Sequence, residues 1–189
     1  MRTRGLIVYF AGACLLRGAD AAAIIGVVLA ARPAGAGDAT GLLAACITLP
    51  HLAGPVAAQL LDRARSKKLV LSAAGLVYGI ALAGAILLLP TMLIAAAVGL
   101  LIAGLAGPLL TGGLSSQLAT IVGTDERARR RAQGMDAFTY GVSATAGPAV
   151  IAVVASTSSP AVAILTAAGA AVAGGDRRPA PSRRNATLR

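Results

Sequence analysis

The sequence predicts an all-α, polytopic membrane protein with six transmembrane helices, and three observations carry that expectation. Hydrophobic residues make up 57% of the chain and charged residues 13%. A soluble domain has about 25% charged residues, so a water-facing surface is out of reach, and mean hydropathy is +0.78. The apolar residues fall in runs of bilayer-spanning length, roughly 20 residues or more. The basic residues between those runs alternate in density, which is the mark of a membrane topology rather than of a binding patch.

Taken in order, spans are expected at about 5–31, 39–61, 69–89, 91–118, 135–155 and 160–174. The first continues well past Arg17, too long for a signal-peptide core, and so reads as a retained helix. Arg32 and Pro33 end it. The second carries Pro50, His51 and Pro55 inside it and closes on the cluster Asp62, Arg63, Arg65, Lys67 and Lys68. Pro90 ends the third. The fourth stays apolar to Val122, with its last stretch from Ser115 expected at the cytoplasmic surface. The basic loop TDERARRRAQG precedes the fifth, and STSSP separates the fifth from a short sixth. Residues 1–175 then form one six-helix domain, and 176–189 form a basic, Pro-rich tail expected to be disordered.

Counted by loop, fifteen Lys or Arg fall on the side of the termini and one, Arg32, on the other. Basic loops stay in the cytoplasm, so both termini are expected there, in the cell membrane. A net charge of +10 would suggest nucleic acid in a soluble chain, but aromatic residues are only 3%, too few for base stacking. Cys14 and Cys46 lie inside apolar runs without metal-ligand spacing and read as inert thiols. There is one His, no P-loop and no Ser-His-Asp arrangement, so neither an enzyme nor a cofactor or metal site is expected. Asn185 with Thr187 fits a glycosylation pattern, which a cytoplasmic tail makes irrelevant. Ala and Gly dominate the spans, and close packing through small residues holds such helices together. Gly99, Ala103 and Gly107, four apart, make one expected packing stripe.

Ionisable groups inside the hydrocarbon are costly and each needs a reason. Arg17 and Asp20 are three apart at the centre of the first span, within mutual reach on one face. His51 lies at similar depth in the second. One reading makes them a site for a charged substrate or a proton relay, His being suited to the latter. The other has Arg17 and Asp20 neutralise each other, and His51 bond a carbonyl that the prolines free. Tyr9, eleven residues before Asp20, shares that face, and Thr111 is a further candidate on the fourth span. Asp136, at the start of the fifth, is expected to cap a helix or pair with a loop Arg.

Gly54, Pro55, Leu60, Asp62, Arg63 and Lys67 resemble the loop motif between helices two and three of the major facilitator superfamily. Ala58 and Arg65 stand where that motif has glycines. Gly147 and Pro148, within GMDAFTYGVSATAGPAV, are similar to the core of the helix-five antiporter motif of its drug-efflux-like actinobacterial members. The resemblance spans about residues 5–173 and covers one six-helix half, made of two three-helix repeats. It implies a secondary transporter that exports a small molecule by alternating access, with a proton as candidate coupling ion. It gives helices one and four a cavity-lining role, which favours Arg17 and Asp20 over His51, and gives Asp62 and its basic neighbours a gating role. Helices two and five would face a second half, so the expected partners are the bilayer, the small-molecule substrate and a second copy or missing half. The alternative is a truncated, non-transporting membrane protein or interaction subunit.

Overall fold

The computed structural model describes residues 2–118, 122 and 125–176. From residue 177 on, the tail and its Asn185 pattern lie outside the described residues. Among the described residues there are seven α-helices of known bounds and two 3-10 turns, and no strand. We number the helices α1 (Arg2–Ala31), α2 (Thr40–Thr48), α3 (Gly54–Arg63), α4 (Lys67–Leu88), α5 (Leu93–Ser115), α6 (Glu126–Thr157) and α7 (Pro160–Asp176). Five of the helical runs described are long and apolar enough to cross a membrane, and Pro160–Gly175 is a shorter apolar helix.

α1 has no proline until Pro33. There the chain reverses through Gly35 at φ 76°, a left-handed conformation that glycine adopts without a Cβ clash. The Ala36 N–H closes the end by donating to the Ala31 carbonyl at 2.9 Å.

The second apolar run is not one regular helix. Pro50 and Pro55 remove two N–H donors, and a 3-10 turn, Leu49–Ala53, joins α2 to α3. The His51 carbonyl, which Pro55 cannot serve, accepts from the Gly54 N–H instead. The carbonyl that Pro55 frees is thus satisfied by backbone and not by the His51 ring. α3 ends in a three-residue turn. Ala64 and Ser66 are extended, at φ −70° and −135°, and no non-glycine residue described has positive φ. Arg65 thus fits where the family motif has glycine, because this turn asks for no left-handed residue. Ser66 caps α4 by accepting from the Leu69 N–H at 3.4 Å.

α5 ends at Ser115 rather than continuing outward. Leu118 and Val122, expected at a cytoplasmic surface, are buried. α6 departs most from expectation. It begins at Glu126, not at 135, so most of the basic loop is helical. Arg, Ala and Gln are good helix formers, Asp125 caps the helix by accepting from the Arg127 N–H at 3.1 Å, and Glu126 pairs with Arg130 at 3.1 Å. Hydropathy marks such a stretch as polar but says nothing against its being a helix. α7 runs to Asp176, slightly beyond the expected end, with Ser159 accepting from the Val162 N–H at 3.2 Å.

α1 packs against α6 and α7, and α5 packs against α4 and the α2–α3 segment. α4 also packs on α7, and α1 touches α5. Small residues set these crossings. A Cβ on Gly147 would strike the Gly18 backbone, and one on Gly79 would meet the Ala168 carbonyl at 2.7 Å. The expected stripe on α5 divides between partners: Gly99 faces Ala81 and Ala85 of α4, while Gly107 makes room for the His51 ring.

Candidate functional site

Two polar clusters lie inside the bundle, and Arg17 and Asp20 belong to different ones. Arg17 Nη1 donates to Asp136 Oδ1 at 2.8 Å, and the two side chains are 2% and 8% exposed. The same guanidinium donates to the Ser115 hydroxyl at 2.8 Å, to the Thr111 carbonyl at 3.4 Å and to the Thr139 hydroxyl. Ser115 donates onward to Asp136 Oδ2 at 2.6 Å, and the Tyr9 hydroxyl donates to Oδ1 at 2.8 Å. The Tyr140 ring stacks on the guanidinium, 3.7 Å from Arg17 Cζ to the ring centroid. This network joins α1, α5 and α6.

Three expectations are corrected here. Arg17 and Asp20 do not neutralise each other, because Asp136 takes the guanidinium. Asp136 is neither a helix cap nor a partner of a loop Arg: α6 starts ten residues earlier, which buries Asp136 against α1. Tyr9 does not join Asp20, because its hydroxyl goes to Asp136. Desolvation explains the arrangement. A buried charge needs a partner together with hydrogen bonds to its remaining polar atoms. Asp136 brings Ser115, Thr139 and Tyr9 with it, whereas Asp20 offers no such set.

Asp20 instead faces His51, with Oδ2 3.3 Å from Nε2, and the side chains are 15% and 34% exposed. The contact is a hydrogen bond with neutral imidazole and an ion pair with imidazolium. His51 Nδ1 has no hydrogen-bond partner. The Tyr78 hydroxyl, fully buried on α4, lies beside Asp20. Sequence reasoning missed Tyr78, since nothing marks a lone Tyr in an apolar helix as different from core. It also missed Ser115, Thr139 and Tyr140 as Arg17 partners. For Thr139 and Tyr140 the available signal was their spacing on α6, at helical intervals with Asp136 and Ser143.

An open cavity of about 360 Å³ lies between α3 and α5. His51, Gly54, Ala58, Asp62, Pro108 and Thr111 are among its lining residues. Thr111 turns its hydroxyl back to the Gly107 carbonyl at 3.2 Å, so its carbonyl rather than its hydroxyl serves Arg17. The loop-motif residues split in their surroundings. Gly54 and Asp62 line the cavity, and Asp62 holds Lys67 at 2.7 Å. Pro55, Leu60 and Arg63 are exposed. Gly147 and Pro148 lie at the α1–α6 crossing and half-buried beside it, respectively. A second space of about 280 Å³, between α1, α6 and α7, is mainly apolar and includes Cys14, Ser143 and Gly147. Among the described residues no group of His, Cys, Asp or Glu is placed to hold a metal ion.

Comparison with protein-family models, with curated proteins and with solved structures returned no match.

Proposed function

We propose that this chain is one six-helix half of a secondary transporter of the major facilitator type. A small-molecule solute enters the cavity between α3 and α5, and Asp20 with His51 takes up solute or proton there. The observation that carries the reading is the Asp20–His51 contact, a partly exposed ionisable pair whose His51 lines a cavity. Ionisable groups in such a position mark ion or substrate pathways.

The packing supports the architecture. Two three-helix sets, α1 with α2–α3 and α4, then α5 with α6 and α7, exchange contacts in pairs. α1 on α6 corresponds to α5 on α2–α3, and α1 on α7 corresponds to α5 on α4. The contacts of α4 on α7 and of α1 on α5 map onto themselves. Repeats of this kind place the binding site between them near the bilayer midplane. The positive-inside rule sets the cluster Arg63–Lys68, the start of α6 and both termini on the cytoplasmic side. Asp62, which lines the cavity and is paired with Lys67, then stands on the cytoplasmic side, where breaking that pair accompanies a change of access.

Proteoliposomes loaded with a pH-reporting dye test the reading against a panel of small solutes. Solute-dependent proton movement is expected for the wild type and its loss for Asp20→Asn. A wild-type chain that moves nothing under either sign of gradient sinks the transport reading. Flux unchanged in Asp20→Asn removes that carboxylate from the mechanism.

A further inference from the structure

One face of α6 is left exposed from its arginines down to the middle of the helix. Arg127, Arg131, Met135, Phe138 and Val142 recur at intervals of three and four, which puts them on one side of the helix, and all five are exposed. Phe138 is 71% exposed. Along this ridge the chemistry changes from guanidinium to apolar within one turn, as it does between lipid headgroups and hydrocarbon. Among the described residues Arg127 and Arg131 make no ion pair, whereas Arg130, on another face, is taken by Glu126 at 3.1 Å.

Val142, at the end of the ridge, also lines the space of about 280 Å³ between α1, α6 and α7. That space shares no lining residue with the α3–α5 cavity, and the Cys14 thiol is its one ionisable lining group. Its two hydroxyls are already used. Ser143 donates to the Cys14 carbonyl at 3.3 Å and Thr166 to the Ala163 carbonyl at 2.6 Å. The space therefore offers nothing to a polar solute, and an apolar space of this kind stays dry and takes apolar ligands. Depth agrees with a lipid chain as the occupant. Val142 lies eleven residues beyond Arg131, about 16 Å along the helix, and one leaflet of hydrocarbon is about 15 Å deep.

We infer that this face holds an anionic phospholipid, with its headgroup on Arg127 and Arg131 and one acyl chain laid along Met135 and Phe138 into the space between α1, α6 and α7. Basic side chains above an apolar cleft between membrane helices select a headgroup of net negative charge over a zwitterionic one. The hydrocarbon chain, and not a second protein, fits a cleft whose polar groups are all internally satisfied. The inference rests on the bundle lying in a membrane and not on transport, and its test reads bound lipid rather than flux.

Native mass spectrometry of the full chain in detergent compares dioleoyl phosphatidylglycerol with dioleoyl phosphatidylcholine. The wild type is expected to hold phosphatidylglycerol roughly 25-fold more tightly, about fivefold for each arginine near a lipid surface. The pair Arg127→Gln with Arg131→Gln is expected to lose that preference. Arg129→Gln with Arg130→Gln removes the same charge from other faces of α6 and is expected to keep it. A phosphatidylglycerol with a diazirine toward the end of one chain is expected to crosslink within 142–151 of α6 and 166–170 of α7. Ala146→Phe fills the space, in whose lining Ala146 lies, and is expected to abolish those adducts. Equal affinity of the wild type for the two lipids overturns the inference. So does a preference lost equally in both arginine pairs, which reports diffuse surface charge. Adducts spread evenly over the outward helix faces, or unmoved by Ala146→Phe, overturn it as well. The four arginines are exposed, so the lipid comparison stays readable should Ala146→Phe fail to fold.

Discussion

Arg17 and Asp20 sit three residues apart on α1 and serve different neighbours. The guanidinium is fully desolvated and finds a carboxylate with its own supporting donors, while Asp20 meets the one imidazole in the chain. Removing one member of a buried pair leaves an uncompensated charge and costs about 3–5 kcal/mol. Asp136→Ala is therefore expected to lower the thermal midpoint strongly. The double variant Arg17→Met with Asp136→Leu is expected to recover much of the loss, since no orphan charge remains. Thermal unfolding of the two proteins in the same detergent checks this. Gly147 makes a separate point about crossings. Its missing Cβ lets α6 rest on the Gly18 backbone, so Gly147→Leu is expected to cost about 1–3 kcal/mol by overpacking, whereas Gly141→Leu, where a Cβ meets nothing within 4 Å, is expected to leave stability within about 0.5 kcal/mol of wild type.

At the scale of elements, α6 and the α2–α3 segment show what local chemistry adds to hydropathy. α6 has 32 residues, about 48 Å of helix at 1.5 Å per residue, against roughly 30 Å of hydrocarbon. A crossing by its apolar part would leave its arginine-rich first turns outside the apolar layer. Asp125→Ala removes the cap and is expected to cost about 1 kcal/mol of helix stability. The check is faster amide hydrogen exchange confined to the first turns of α6. The α2–α3 segment needs its prolines to stay irregular. Pro55→Ala restores an N–H able to reach the His51 carbonyl and is expected to slow exchange there and straighten the segment. If exchange across 51–56 is unchanged, the 3-10 turn has another origin.

For the whole molecule, the alternation of charged loops predicts sidedness. Gly37, in the turn after α1, and Arg65, between α3 and α4, are exposed and lie at opposite ends of the α2–α3 segment. In a background without Cys14 and Cys46, an impermeant maleimide added outside intact cells is expected to label Gly37→Cys and spare Arg65→Cys. Inverted vesicles are expected to reverse the pattern. Labelling of both positions from one side contradicts a membrane-crossing α2–α3 segment.

Much of the fold was legible in the apolar runs, because hydrophobic length and helix breakers are local properties. Pro33 stops α1, Pro90 follows α4, and Pro50 with Pro55 disturb the second run, all readable along the chain. The start of α6 was not, since helix propensity and capping override a polar composition. Of the candidate site, the depth of Arg17, Asp20 and His51 could be read from their place in the runs. Their partners could not. By itself the sequence determined an all-helical chain with runs long and apolar enough to cross a membrane, and which ionisable residues such runs must carry inside. Only the tertiary structure decided that Arg17 belongs to Asp136 and Asp20 to His51. That choice depends on which helix faces which, and a desolvated charge takes the neighbour able to satisfy most of its hydrogen bonds, however far away that neighbour is along the chain.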